Sequence, residues 1–526
     1  MDDYIFGANI LENLTTGMYQ DSKVIYREYI QNSCDQIKKA IVQKLVEPKE
    51  AHIEVWIDRC NRTIVIEDNA TGISANEFKK TLSKIADSNK DMDEDIGFRG
   101  IGRLCGLAYC SKLVFTTSAK GEDIISILSC DAIKMRQMIE ENEHGLKHTA
   151  QDILRAINKF DKKSTKDFNS HFFKVELIGI SQENTDLLDT QAVKNYLSFI
   201  APVPYQNTFI FRNKVYEHAA QLNTKIDEYN VFLEGEQIFK KYITDLKDTN
   251  GTKYDEIFDI EFRDFYDEDN HLIAWMWYGL TRFSGAIPNS KSNPSNPMRG
   301  LRLRKENVQI GGEDALQKLF KEDRGNSYFV GEVFATSKGL IPNSQRDYFN
   351  ENHIRTIFES VLQLFFNEQL HKIYRIGSEI NSAYKRIDTY TKKEAEYNRL
   401  YINGSFINEE QRNNASAEVE RAKADAQKAK EKIAKKKEKA SPEDVIGKVI
   451  NRIQATHKQS TKITEVNKAS TSSKQRAKDK WRTDGEKYSS YSRNERKLIS
   501  KILGIIALST DKTIADSIIQ KIEEEL

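Results

Sequence analysis

The sequence predicts an α/β protein in three stretches: an α/β sandwich, a second mixed α/β block, and an α-helical, basic C-terminal tail. Three observations lead there. Residues 1–180 alternate helical and strand periodicities and place glycine loops at element ends. Residues 181–375 keep the mixture, and from about Glu351 the pattern turns to helix with rising charge. At 526 residues the chain is long enough for two or three domains with sizeable cores.

In the first block Val24–Leu45 has the spacing of a long amphipathic helix, and His52–Asp58 and Arg62–Glu67 read as strands around a tight turn at Arg59–Asn61. Lys112–Ser118 and Ile124–Ser129 form a hairpin around Lys120-Gly121, and Phe172–Ile180 is a further strand. In the second block strands are expected at Thr208–Tyr216, Ile257–Phe265, Leu272–Leu280, Leu301–Ile310 and Tyr328–Ala335. Pro288, Pro294 and Pro297 among Ser and Asn mark Ser284–Pro297 as a loop. Residues 376–440 read as a long charged helix or coiled coil, 441–492 as a basic linker, and 493–526 as a helical hairpin. The hairpin core is expected from Ile499, Ile502, Ile505, Ile506, Ile514, Ile518 and Ile519.

Composition excludes several classes. Eighty basic and 79 acidic residues leave a net charge of +1, so no global field points to nucleic acid. Five cysteines (Cys34, Cys60, Cys105, Cys110, Cys130) without a C-x-x-C pair argue against a disulfide framework or a zinc site. The start MDDYIFGANI lacks a signal peptide's basic and apolar regions, and no run approaches membrane-spanning length. The expectation is a cytoplasmic protein with no membrane contact.

Glu28, Asn32 and Asp35 share one face of the first long helix, spaced four and then three apart, opposite Val24, Ile25, Tyr29, Ile30 and Ile37. A base, a metal ligand and a second acid beside a core suit a nucleotide site when glycine-rich loops follow. Asp68 closes the strand Thr63–Glu67, where an acid can accept from an exocyclic amine, and Gly72 lets backbone approach a planar base. Gly97, Gly100 and Gly102 then precede a helix expected at Arg103–Cys110, whose first N–H groups can meet phosphate.

These three elements resemble, in order, the E-x-x-x-N, D-x-G-x-G and G-x-x-G-x-G motifs of the GHKL superfamily, which includes gyrase, the ninety-kilodalton heat-shock chaperone, histidine kinases, MutL and MORC. The match looks closest to the chaperone. Tyr19, Arg27-Glu28 and Asn32-Ser33-Cys34-Asp35 follow its helix motif, and Ile85-Ala86-Asp87-Ser88 resembles the start of its lid. Leu340-Ile341-Pro342-Asn343-Ser344-Gln345-Arg346-Asp347 resembles its middle-domain loop, whose arginine reaches the γ-phosphate.

The resemblance implies a Bergerat-type ATP-binding domain, a transducer domain, and ATP with Mg²⁺ as ligands. It implies that Glu28 orients and deprotonates water, Asn32 holds Mg²⁺, and Asp68 binds the adenine amine. Gly97–Gly102 would cradle phosphates with Lys90 as a partner, Asp35 would line the pocket, and Arg346 would complete the site from the second domain. It also implies a homodimer on ATP binding. Compact GHKL proteins occur in bacteria, some in antiviral defence operons, so a client or defence-system partner is a further expectation.

Two departures stand out. Ala70 replaces the first glycine of D-x-G-x-G, and Phe172-Phe173 stand where a glycine–threonine pair supports the adenine-binding acid. They favour weak nucleotide use, or a non-hydrolysing sensor or scaffold. The lysines between Arg421 and Lys439, with basic residues onward to Arg482, raise a MORC- or MutL-like DNA clamp as the alternative. A histidine kinase is disfavoured, because no phosphoacceptor helix precedes the site.

Overall fold

The computed structural model describes residues 6–15, 17, 21–84, 102–143, 147–288, 296–403, 405–458, 491–509 and 512–525. Tyr19, Ile85-Ala86-Asp87-Ser88, Lys90, Gly97, Gly100 and the basic residues 459–490 lie outside these. The chain divides into two compact units, Met1–Asn381 and Ser382–Leu526.

The first unit begins with α1 (Asn9–Thr15) and α2 (Val24–Val42). Behind them stand β1 (His52–Asp58), β2 (Thr63–Asp68), β3 (Lys112–Ser118), β4 (Ile124–Asp131), β5 (Asn158–Ser164) and β6 (Phe172–Ile178). Short strands β7 (Asn230–Leu233) and β8 (Glu236–Gln237) extend this sheet, whose order is β5-β4-β3-β6-β2-β1-β7-β8. Strand β7 runs parallel to β1, so residues well beyond 180 complete the first sheet. Inward residues alternate along β1 (Ile53, Val55, Ile57) and β2 (Ile64, Ile66), as a sheet with one face on a core requires.

Two expectations in the second block are corrected. Thr208–Tyr216 is not a strand: after a turn at Phe209, residues Arg212–Gln221 form a helix. Phe211, Val215 and Ala219 recur every four residues and are buried, a helical stripe that outweighs the short apolar run Phe209-Ile210-Phe211 at its start. The single strand expected at Leu301–Ile310 is a hairpin of Gly300–Lys305 and Val308–Ile310. Its two turn residues, Glu306 and Asn307, both take positive φ, the geometry of a two-residue hairpin turn.

These two strands join Asp259–Tyr266, Leu272–Leu280 and Val330–Ala335 in a five-stranded sheet. Its core is aromatic, with Tyr205, Phe209, Tyr242, Trp275 and Trp277 all buried. Within it lies a fully buried charge cluster. Glu332 meets Arg304 Nε, Tyr205 OH and, at 3.3 Å, Lys240 Nζ, while Trp277 Nε1 donates to Glu332 at 3.2 Å. Burial pushes the Glu332 carboxyl up, but Arg304 and Lys240 overcome it and hold it at about 2. Burial and the neighbouring Arg304 pull the Lys240 ammonium down to about 7.

In the second unit, the later part of helix His371–Ile402 packs with the helices Glu409–Glu438 and 445–458. Ala426, Ala429, Val449, Ile450 and Ile453 are buried there, and Tyr384 stacks on His457 at 4.3 Å. Alanine supplies the buried side of Glu409–Glu438, whereas Lys428, Lys430, Lys435, Lys437 and Lys439 are exposed. Helices Arg493–Ser509 and Lys512–Glu525 pair as expected. Their buried residues include Leu503 and Ile519, while Ile502, Ile514 and Ile518 stay exposed, because each short helix covers one stripe of its neighbour. No described helix is long and apolar enough to cross a membrane.

Removing the one carboxylate of the buried cluster leaves Lys240 and Arg304 as uncompensated buried charges. Glu332→Ala is expected to lower unfolding free energy by about 3–5 kcal/mol in chemical denaturation, more than Lys240→Met, which leaves Glu332 paired with Arg304.

Candidate functional site

Helix α2 has polar and apolar residues in alternate positions, yet Val24 through Gln31 are all buried. The apolar residues pack on the sheet. The polar ones are covered from the other side, which sequence periodicity alone reads as solvent. Glu28 and Asp35 are buried and Asn32 is half-buried.

Glu28 is the meeting point. Its Oε1 lies 3.4 Å from Arg346 Nε and 3.4 Å from Arg27 Nη2. Arg27 Nη2 also donates to the Gln345 carbonyl at 3.1 Å, so two guanidinium groups and one loop converge on a single carboxylate. On the other side Gly102 is the residue that allows the approach: a Cβ there would stand 2.4 Å from Glu28 Oε2. The expected helix after Gly102 is instead a tight 3-10 segment, Gly102–Ala108. Its shape brings Gly106 N–H to within 3.2 Å of Tyr29 OH, which donates to the Arg103 carbonyl at 3.0 Å.

Arg346 reaches Glu28 because its loop is folded tightly. Asn343 N–H bonds to the Tyr348 carbonyl at 2.9 Å, Arg346 N–H to Asn343 at 3.1 Å, and Arg346 takes a φ of 54°. Gly311 supports the loop: its N–H donates to the Arg346 carbonyl at 2.9 Å, and a Cβ on it would lie 2.4 Å from the Asp347 carbonyl.

The third cluster surrounds Asp68. Ser33 Oγ donates to Asp68 Oδ2 at 2.6 Å and Ala70 N–H to Oδ1 at 3.1 Å. Burial pushes the carboxyl up to about 7 against these hydrogen bonds and that of the Phe173 N–H. Phe173 lies directly opposite Asp68 in the β2–β6 pairing and opposite Thr117 in the β3–β6 pairing. Ala70 does not take a positive φ, so alanine is tolerated without backbone strain. The glycine requirement falls on Gly72, with φ 63° and the Ser118 carbonyl 1.9 Å from a would-be Cβ.

Sequence reasoning passed over Ser33, Gln31, Thr117 and His171. Thr117 Oγ1 accepts from Ile73 N–H at 2.9 Å and donates to the Phe172 carbonyl at 2.6 Å, and His171 Nδ1 lies 2.6 Å from the Ala70 carbonyl. Ser33 was within sequence reach, since it directly follows Asn32 on the same helix. Thr117 and His171 enter only through sheet pairing.

Asp68 offers a buried acceptor, Gly72 and Gly102 let the Ser118 carbonyl and the Glu28 carboxylate pack closely, and Asn32 carries an amide on the same helix as Glu28. This donor set fits a nucleotide with Mg²⁺, an ion that takes few protein ligands and relies on phosphate oxygens and water. Among the described residues no group of three or more His, Cys, Asp or Glu is placed to hold a metal by itself.

The α/β fold of the first block is that of GHKL-type ATP-binding domains. Residues 20–165 match the family of histidine kinase-, DNA gyrase B- and HSP90-like ATPases. Among those branches the similarity is to the HSP90-like one. The chain is 26% identical over 130 residues to the chaperone protein HtpG of Halalkalibacterium halodurans, covering 22% of this chain and 21% of that protein. It is 30% identical over 114 residues to HtpG of Rhizobium meliloti, 18% of each. The match to HtpG of Fusobacterium nucleatum is longer, 22% over 404 residues, covering 71% of this chain and 58% of the relative. Each alignment therefore spans less than two thirds of the relative's length.

The raised Asp68 carboxyl gives a test with a definite sign. Between the ordinary value of 3.8 and about 7 the folded protein keeps a proton that the unfolded chain has released, so this group lowers stability as pH rises through that window. Asp68→Asn removes the dependence. The unfolding free energy of the variant relative to wild type is expected to shift in the variant's favour by up to about 4 kcal/mol from pH 4 to pH 7.

Proposed function

We propose that this chain binds Mg²⁺–ATP in the pocket between α2, β2 and the Gly102 segment, and hydrolyses it slowly to drive a conformational cycle of chaperone type. The observation that carries the reading is the Glu28–Arg346 contact, which joins the helix of an ATPase domain to a loop more than 300 residues away. Asp68 would accept from the adenine amine, and Gly72 would admit the base. Asn32 would supply the amide oxygen for Mg²⁺, which when bound offsets charge on the phosphates. Asp35 would line the pocket wall, and Lys90 with Gly97, Gly100 and Gly102 would contact the phosphates.

Glu28 in this reading orients the attacking water and accepts its proton. Its present partners, Arg27 and Arg346, each 3.4 Å from Oε1, fix its direction. Arg346 would stabilise charge on the γ-phosphoryl group, so turnover depends on the second domain's loop being seated. Pairing of two copies on ATP binding, and a protein client or defence-system partner, belong to the same reading. A second reading, an ATP-dependent DNA clamp, is favoured by one observation: the exposed lysines at 428, 430, 435, 437 and 439.

Phosphate-release and nucleotide-binding measurements separate the roles. Glu28→Ala is expected to lower turnover at least about a hundredfold while still binding ATP, whereas Asp68→Asn loses binding. Normal hydrolysis by the Glu28 variant would sink the assignment. Light scattering with a non-hydrolysable ATP analogue is expected to show a doubled mass. Repeated with duplex DNA, a mass increase that disappears in high salt and on neutralising the 428–439 lysines would favour the clamp instead.

A further inference from the structure

Arg346 stands at φ 54°, a left-handed conformation that a residue with a side chain keeps only where its surroundings hold it. Two backbone hydrogen bonds do so. Its N–H donates to the Asn343 carbonyl at 3.1 Å, and its carbonyl accepts from Gly311 N–H at 2.9 Å. The first bond lies within the loop. The second comes from the residue that follows the strand Val308–Ile310, so the direction of the Arg346 backbone depends on how Gly311 is held.

Gly311 is held by Gln309. The Gln309 Nε2 donates to the Gly311 carbonyl at 2.9 Å, and its Oε1 accepts from Arg302 Nη1 at 2.9 Å. Both Gln309 and Arg302 are buried. A guanidinium only donates and a backbone carbonyl only accepts, so the side chain between them must carry a donor and an acceptor, as a primary amide does. The hairpin register brings them together: Gln309 lies directly opposite Arg304, and Arg302 is two residues further along the same face.

Arg302 is fixed in turn. Its guanidinium stands 4.2 Å from the centroid of the Phe199 ring, on the helix Thr190–Ile200. Its Nη2 donates to the Pro297 carbonyl at 2.5 Å and lies 3.7 Å from Glu313 Oε2, a carboxylate that also meets Arg299 Nη1 at 2.7 Å. Hydrogen bonds therefore run unbroken from Arg302 through Gln309 and Gly311 to the Arg346 backbone. The Arg346 side chain then places Nε 3.4 Å from Glu28 Oε1.

We propose that Gln309 is a positioning residue for Arg346: by holding the Gly311 carbonyl against Arg302, its amide sets the Arg346 backbone so that the guanidinium is aimed at Glu28. The catalytic consequence rests on the hydrolysis reading above. Gln309 acts through Gly311 and Arg346, and is not itself a catalytic residue.

The test uses the full chain as wild type, Gln309→Met and Gln309→Glu. Methionine fills the space without an amide. Glutamate still accepts from Arg302 but sets a carboxylate oxygen against the Gly311 carbonyl. Hydrogen exchange without nucleotide is expected to quicken by at least about tenfold at Gly311 and across 343–348 in both variants, with Leu272–Leu280 unchanged. With Mg²⁺–ATP, kcat is expected to fall at least about tenfold while KM stays within about twofold. On an Arg346→Ala background, Gln309→Met is expected to change the single-turnover rate by less than about twofold, because the two residues act as one unit.

Unchanged exchange across 343–348, or equal quickening in Leu272–Leu280, would overturn the positioning role. Wild-type kcat in the Glu variant would overturn the part played by the Gly311 bond. An undiminished further loss on the Arg346→Ala background would overturn action through Arg346. If wild type turns over no ATP, the hydrolysis reading fails, and exchange alone decides whether Gln309 holds the loop.

Discussion

A single carboxylate organises the first unit. Glu28 is buried, and a buried carboxylate needs cations or hydrogen-bond donors facing it. Here Arg27 comes from its own helix and Arg346 from the second sheet's domain. The requirement to pair this charge accounts for the tight Arg346 loop, the positive φ at Arg346, and the side-chain-free surfaces at Gly102 and Gly311. Remove the charge and those features have no common cause.

The same helix serves two faces. Its Glu28 packs against Gly102, and its Arg27 reaches the Gln345 carbonyl beside Arg346. A helix shared in this way cannot change position at one face without changing contacts at the other. Under the proposed function, the position of this helix would be coupled to the second sheet's domain by packing rather than by a long relay. The buried Glu332–Arg304–Lys240 cluster adds stiffness where the hairpin leaves the second sheet, since its charges tolerate no separation.

Much of this was legible in the chain. The strand His52–Asp58 follows a period-two pattern and Leu272–Leu280 is a continuous apolar run, both of which local sequence carries. The helix bearing Glu28, Asn32 and Asp35 is legible from its spacing. What could not be read depends on long-range contact. Arg27 and Glu28 are met by Gln345 and Arg346, more than 300 residues away, and periodicity reports only that a side chain is polar. Thr208–Tyr216 has the look of a strand because a short apolar run, Phe209-Ile210-Phe211, leads into the helical stripe of Phe211, Val215 and Ala219. The hairpin at Glu306–Asn307 carries no glycine to announce its turn. Ala70 was read as a liability, yet the backbone there asks nothing of a glycine.

The most direct measurement is single-turnover ATP hydrolysis by the full chain carrying Arg346→Ala, with nucleotide affinity measured in parallel. The expected result is affinity within a few-fold of wild type and a rate of phosphate formation lower by about a thousandfold or more. Hydrolysis at the wild-type rate with Arg346 absent would contradict the claim that the second domain completes the site.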